Sequence, residues 1–321
     1  MPNLNATWTP DLLSGFEQTT LTGLTAPDGP VELVLVRRRC PEATAGKAVL
    51  YVHGFVDYFF QTHLADFYNM QGLHFYAVDL RRHGRSMRAH QLPCYTGDVA
   101  EYLDDVDASI DLLTGHEGVS WLLINGHSTG GLVAALHAHR GRRRAAVNAV
   151  FLNSPFFDMN IPHWQKTTFQ SWGVSIGAFA PHLRLPGLST VYGESLHADH
   201  HGAWRYETKW KPIEGFPVHA GWLRAIALAH AEVARGLNIT CPLLLMHAER
   251  SAWPKVWCDE AMHADVVLDV ADMVRLAPKL GSKVQCVAIP DGIHDLVLSA
   301  PPARAQVFAN LQQWLAQVMP S

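Results

Sequence analysis

Apolar residues fall along this chain in short blocks with two different rhythms. Runs dense in β-branched and aliphatic residues recur at Val31 to Val36, Ala48 to Val52, Phe75 to Val78, Trp121 to Asn125, Val147 to Leu152, Pro242 to Met246 and Val284 to Ile289. Such runs predict strands, and because both of their faces are apolar they predict strands covered on both sides. Between several of them apolar residues recur every three or four positions, at Val99 to Leu113, Leu132 to His139, Ala271 to Leu280 and Ala303 to Val318, which predicts helices. Strands alternating with helices imply an α/β fold, a mostly parallel central sheet with helices on both faces.

The alternation stops after Ser154-Pro155 and resumes near Pro242. Residues 155–240 therefore read as an inserted cap, or lid, dividing one core into a first part, 1–154, and a second part, 241–321. The insertion is rich in aromatics: Phe156, Phe157, Trp164, Phe169, Trp172, Phe179, Trp204, Tyr206, Trp210, Phe216 and Trp222. Most are expected to fill the cap's own small core, and the rest to line an apolar pocket.

With 48% hydrophobic and 17% charged residues, the composition is that of a globular protein with a sizeable core. A formal net charge of -4 offers phosphate backbones no general attraction, and the basic run Arg140 to Arg144 is short and broken by Gly141, so no nucleic-acid partner is expected. The five cysteines are odd in number and scattered, without a C-x-x-C pair, which fits reduced thiols and a cytoplasmic location. Neither an export signal nor a membrane span is read in the chain.

The sharpest chemical signal is Gly126-His127-Ser128-Thr129-Gly130-Gly131, between the predicted strand Trp121 to Asn125 and the helical run from Leu132. G-x-S-x-G is a weak pattern alone; at a strand-to-helix junction it predicts a sharp turn that lifts the serine hydroxyl above the sheet. A serine is a poor nucleophile without a base, and the base needs a partner to fix its tautomer. Among nineteen histidines, His294 follows the strand Val284 to Ile289 through the turn Pro290-Asp291-Gly292, where a Ser…Asp…His chain order puts the base. An acyl-transfer site also needs oxyanion donors, expected from the backbone N–H of Thr129 and, after His53-Gly54, of Phe55.

Together these residues resemble the monoacylglycerol-lipase-like branch of the α/β-hydrolases, which also holds lysophospholipases, carboxylesterases and some serine aminopeptidases. The resemblance rests on His53-Gly54, on Asp79-Leu80-Arg81-Arg82-His83-Gly84-Arg85-Ser86, similar to a D-x-R-G-x-G-x-S loop, on Gly126 to Gly131, and on Gly292-Ile293-His294-Asp295. Arg82 stands where that branch usually has glycine. Its triad acid usually follows the strand matching Pro242 to Met246 in a G-x-x-D loop, but here the loop reads His247-Ala248-Glu249-Arg250-Ser251, with Ser251 at the acid's place. Downstream, Ala264-Asp265-Val266-Val267 is similar to the branch's A-D-x-V-V, so the resemblance implies an insertion before the acid and makes Asp265 the choice. Asp269 and Glu249 stay open as alternatives, Asp269 equally suiting a helix N-cap.

The resemblance implies a carboxylic-ester hydrolase working through an acyl-enzyme on a small-molecule acyl ester. An amidase or aminopeptidase using the same residues is the alternative, and a noncatalytic ligand-binding protein on the same scaffold the more distant one. An aminopeptidase needs a carboxylate for the substrate ammonium, for which the insertion supplies Asp158, Glu194, Asp199, Glu207 and Glu214. His197-Ala198-Asp199-His200-His201 reads as a solvated loop rather than a metal site, and no cofactor is expected. A homodimer stays open.

Overall fold

The structure, a computed structural model, describes residues 6–41, 46–160 and 174–320. Its strands are β1 Thr9–Pro10, β2 Glu17–Ala26, β3 Gly29–Arg38, β4 Lys47–Val52, β5 His74–Asp79, β6 Trp121–His127, β7 Ala149–Asn153, β8 Leu243–Ala248 and β9 Val284–Ile289. They form one sheet in the order β1-β2-β3-β5-β4-β6-β7-β8-β9. From β5 to β9 every pairing is parallel, with Leu50 beside Ile124 and Val150 beside Leu243; β1, β2 and β3 join antiparallel at one edge.

Alternation along the strands divides the core in two. Leu50, Val52, Ile124, Leu152 and Leu245 point to one face, where they meet α2 (Ala100–Gly115), α3 (Thr129–Arg140) and α6 (Val270–Leu276). Val49, Tyr51, Leu123, Phe151 and Leu244 point to the other, against α1 (Thr62–Met70) and α7 (Pro301–Val318). Period-two burial of both faces is why these strands read as continuous apolar runs. The fold is that of an α/β-hydrolase.

All seven predicted runs are strands, β3 to β9. The sequence reading did not anticipate β2, which carries Glu17-Gln18-Thr19-Thr20-Leu21-Thr22 and buries few of its side chains at the edge. The predicted helix Ala271 to Leu280 stops as an α-helix at Leu276 and tightens into a 3₁₀ turn at Ala277–Lys279, where Pro278 lacks the N–H needed to continue it.

The chain between β7 and β8 leaves the sheet and includes α4 (Val191–Leu196) and α5 (Ala220–Arg235). Although α5 falls within 155–240, its Ile226, Ala229 and Val233 belong to the core that α3 covers. Trp204, Tyr206 and Trp210 pack on the α1 and α7 side, while Phe156 packs with the other core. Trp164, Phe169 and Trp172 lie outside the described residues. Among the described residues no helix is long and apolar enough to cross a membrane.

Candidate active site

Ser128 stands between β6 and α3 with φ 54° and ψ −119°. That conformation costs a non-glycine residue about 1–3 kcal/mol and persists only where neighbours enforce it. Here the enforcement is steric: a Cβ on Gly126 would lie 2.4 Å from the Gly130 carbonyl oxygen, and one on Gly130 would lie 2.2 Å from that of Val52. Strand, turn and helix are pressed together, and the serine hydroxyl is carried to the carboxyl end of the sheet.

His294 arrives on the loop after β9. Its Nε2 lies 3.0 Å from Ser128 Oγ, and its Nδ1 lies 2.8 Å from Asp265 Oδ2. A carboxylate only accepts, so Nδ1 carries the proton and Nε2 is left to accept from the serine hydroxyl. Asp265 is fully buried, and its Oδ1 accepts from the N–H groups of Val267 and Leu268, both at 2.8 Å. The loop holding His294 is tied down through Asp295, which accepts from Asn153 Nδ2 at 2.7 Å and Gln61 Nε2 at 3.1 Å.

The other two carboxylates considered in sequence stand elsewhere. Asp269 caps α6, accepting from the Ala271 N–H at 3.0 Å, and Glu249 is exposed. Ser251 forms an isolated β-bridge with Asp265, so residues 252–264 leave and return at one point. Its Oγ donates to the Leu268 carbonyl and accepts from the Val270 N–H, both at 2.9 Å, closing the base of that excursion.

After β4, Gly54 brings the chain onto the nucleophile: a Cβ there would lie 3.0 Å from Ser128 Cβ. Phe55 packs its ring on Trp222 with centroids 4.1 Å apart, and Val56 takes φ 49°, strained for a β-branched side chain. No hydrogen bond among the described residues uses the backbone N–H of Phe55 or Thr129. Below this loop, Asp79 accepts from the N–H groups of Phe59 and Arg85 and pairs with the Arg85 guanidinium at 2.9 Å. Arg82, at the glycine position of the D-x-R-G-x-G-x-S pattern, has φ 64°. It keeps the left-handed turn a glycine favours, and its buried guanidinium is tied to Asp28, Glu101 and the Tyr95 carbonyl.

The serine opens into a cavity of about 950 Å³. Phe156, Met159, Leu185, Leu188, Ile213 and Leu223 make much of the wall apolar. One part is polar: Lys211 Nζ lies 2.6 Å from Asp57 Oδ1, and both side chains are buried. Asp57 Oδ2, Tyr192 Oη and Tyr206 Oη are buried with no hydrogen-bond partner among the described residues. Burial pushes the Asp57 carboxyl up, but the Lys211 ammonium and neighbouring histidines outweigh it and hold the acid below its usual range. Burial pushes the imidazole of His127, whose ring is 4.9 Å from that of His294, below its ordinary value.

The sequence reading missed Asp57, Tyr192 and Lys211. Asp57 left a trace, a lone acid in the apolar run Phe55-Val56-Asp57-Tyr58-Phe59-Phe60. The carboxylates of residues 155–240 face elsewhere: Asp158 pairs with Arg275, Asp199 with Arg205 and Glu207 with Lys209, and neither Glu194 nor Glu214 lines the cavity. In the His197 to His201 loop the rings diverge, His197 packing on Tyr206 and His201 stacking on Trp257.

Residues 43–299 match the profile of a family described as serine aminopeptidase, S33. The chain belongs to that family. Within reach of this S33 chain is a monoacylglycerol lipase of Mycolicibacterium smegmatis, 22% identical over 279 residues, which are 86% of this chain and 90% of that one. Among solved structures, a soluble variant of the monoglyceride lipase of Saccharomyces cerevisiae, in complex with a substrate analog, superposes with a TM-score of 0.71 at 16% identity, covering 99% of this chain and 98% of that one. A thermostable carboxyl esterase of Bacillus coagulans gives 0.67 at 11% identity over 96% and 100%.

Proposed function

We propose that this S33-family protein is a serine hydrolase of carboxylic esters, with Ser128 as nucleophile, His294 as base and Asp265 as the acid that orients it. The observation carrying the proposal is the unbroken hydrogen-bond line from Ser128 through His294 to Asp265 at the floor of a largely apolar cavity. His294 Nε2 takes the hydroxyl proton as Ser128 Oγ attacks the ester carbonyl, and Asp265 stabilises the imidazolium. The Phe55 and Thr129 N–H groups hold the oxyanion. His294 then returns the proton to the leaving alcohol, and water, deprotonated by the same imidazole, resolves the acyl-enzyme. Residues 155–240 serve as the cap that shapes the acyl pocket.

Ester is favoured over N-terminal peptide because Asp57, the one carboxylate lining the cavity among the described residues, already has its charge balanced by Lys211 rather than standing as an unopposed anion for a substrate ammonium. The names borne by the M. smegmatis and S. cerevisiae proteins point the same way. The five free cysteines suit the reducing cytoplasm as its place of work. Ser128→Ala is expected to abolish both hydrolysis of p-nitrophenyl butyrate and labelling by a fluorophosphonate, with an unchanged near-UV spectrum; retained turnover overturns the proposal. Faster cleavage of an aminoacyl anilide than of the ester would favour the amidase reading.

A further inference from the structure

We propose that Lys211 is a positioning residue that clamps the oxyanion loop through Asp57, so that the loop is catalytically ordered only while residues 206–211 are seated on it. The inference rests on the reading of Phe55 N–H as an oxyanion donor.

Three observations converge on the clamp. First, the loop is strained at the point that matters: Val56 has φ 49° directly between Phe55 and Asp57, and such a conformation relaxes unless both sides are held. Phe55 is held by its ring on Trp222, and Asp57 by Lys211 Nζ at 2.6 Å. Second, the pair is poorly explained as a stabilising device. Asp57 is 2% and Lys211 6% exposed, and burying two charges costs about as much as their attraction returns. What a buried pair does supply is a fixed geometry, since any displacement leaves an unpaired charge in a buried site. Third, Lys211 does not reach Asp57 alone. The Glu207 N–H donates to Tyr58 Oη at 2.7 Å, Trp210 meets the Tyr58 ring edge-on at 5.2 Å, and Tyr206 packs on Phe60 at 5.0 Å. Residues 206–211 thus run along residues 57–60 and grip them at successive positions.

The same lysine also approaches a ring that packs on the base. Its Nζ lies 5.9 Å from the Tyr192 ring, and that ring sits edge-on to His294 with centroids 5.3 Å apart. Seating residues 206–211 therefore bears both on the donor loop and on the Tyr192 ring beside the imidazole.

Lys211→Met, Lys211→Arg and the double variant Asp57→Asn/Lys211→Met test this, with kcat and KM measured separately on p-nitrophenyl butyrate. Losing an oxyanion donor outright costs about 10²–10³ in kcat, so a loosened donor predicts a kcat at least about tenfold lower in Lys211→Met, with KM within about twofold. Lys211→Arg, which keeps the ion pair, recovers most of the loss. The double variant leaves no unpaired charge, folds, and stays slow because the clamp is gone. The inference is overturned if the double variant matches the parent kcat, or if the loss appears in KM and varies with the leaving alcohol, which would make Lys211 a substrate contact. It is also overturned if Lys211→Met lowers only the melting temperature. Turnover retained by Ser128→Ala would instead sink the underlying reading of the site.

Discussion

Ser251 and Asp265 stand side by side in a single parallel β-bridge, although residues 252–264 separate them in the chain. The residue three positions past β8 and the carboxylate that meets His294 are therefore spatial neighbours. The loop after β8 makes an excursion over residues 252–264, and the bridge with the Ser251 hydroxyl bonds returns the Asp265 carboxylate to the imidazole's side.

Asp265→Asn is expected to lower kcat by about 10³–10⁴-fold with the fold intact. The amide can still accept from Val267 and Leu268, but it no longer holds the Nδ1 proton as a charged acceptor does. Asp269→Ala is expected to leave kcat unchanged and to cost about 1 kcal/mol of stability through loss of the α6 cap. Steady-state kinetics beside urea unfolding separates the two roles, and the reverse pattern would make Asp269 the acid.

Gly130→Ala is expected to destabilise by about 3 kcal/mol or more, because the new methyl meets the Val52 and His53 carbonyls at 2.2 and 2.3 Å and backbone has to move. Gly115→Ala, with nothing within 4 Å of the added carbon at the end of α2, should be neutral or slightly stabilising. Calorimetric melting of the pair checks the contrast.

Acid sensitivity should come in part from His83. Burial, aided by the nearby His53, pushes its imidazole down to about 3, and its Nδ1–H donates to the Arg81 carbonyl at 2.9 Å. The unfolded chain protonates this group at about 6.5, so it binds the proton before the folded chain does. The stabilising contribution is complete above that pH and is lost as pH falls toward 3, at about 1.4 kcal/mol per unit. Unfolding free energies at pH 7.5 and 5.0 should differ by about 2 kcal/mol less in His83→Gln than in the parent; an unchanged difference would show that His83 does not titrate in this way.

Lengthening the acyl chain of nitrophenyl esters from acetyl to octanoyl should raise kcat/KM by up to about fourfold per methylene while the apolar wall is being filled. A flat series would move the acyl group out of this cavity.

Much of the fold was legible because the strands β4 to β8 are buried on both faces, with β3 nearly so, and carry the composition that burial demands, while β9, half exposed at the far edge, still reads as an aliphatic run. Strand β2, next to the edge, is hidden for the opposite reason, since most of its side chains meet water and only Leu21 and Thr19 are buried. In the site, Ser128 could be found because the turn that presents it admits only glycine at neighbouring positions. Asp265 needed a resemblance, since an excursion hides its approach to β8. Lys211 left no signal: its partner lies 154 positions away, and in Lys209-Trp210-Lys211 it looks no different from the exposed Lys209 beside it.

Val150 pairs directly with Leu243, so the sheet runs on unbroken where the long excursion departs and returns. Nothing in the ladder of backbone hydrogen bonds depends on what the chain does between those strands. That makes the part of the excursion before α5 exchangeable in the engineering sense, whereas α5 itself has to stay because Ile226, Ala229 and Val233 close the core over α3. Grafting a different stretch of matching ends there would redraw the pocket on an intact foundation, provided it brought its own replacement for the grip on residues 57–60.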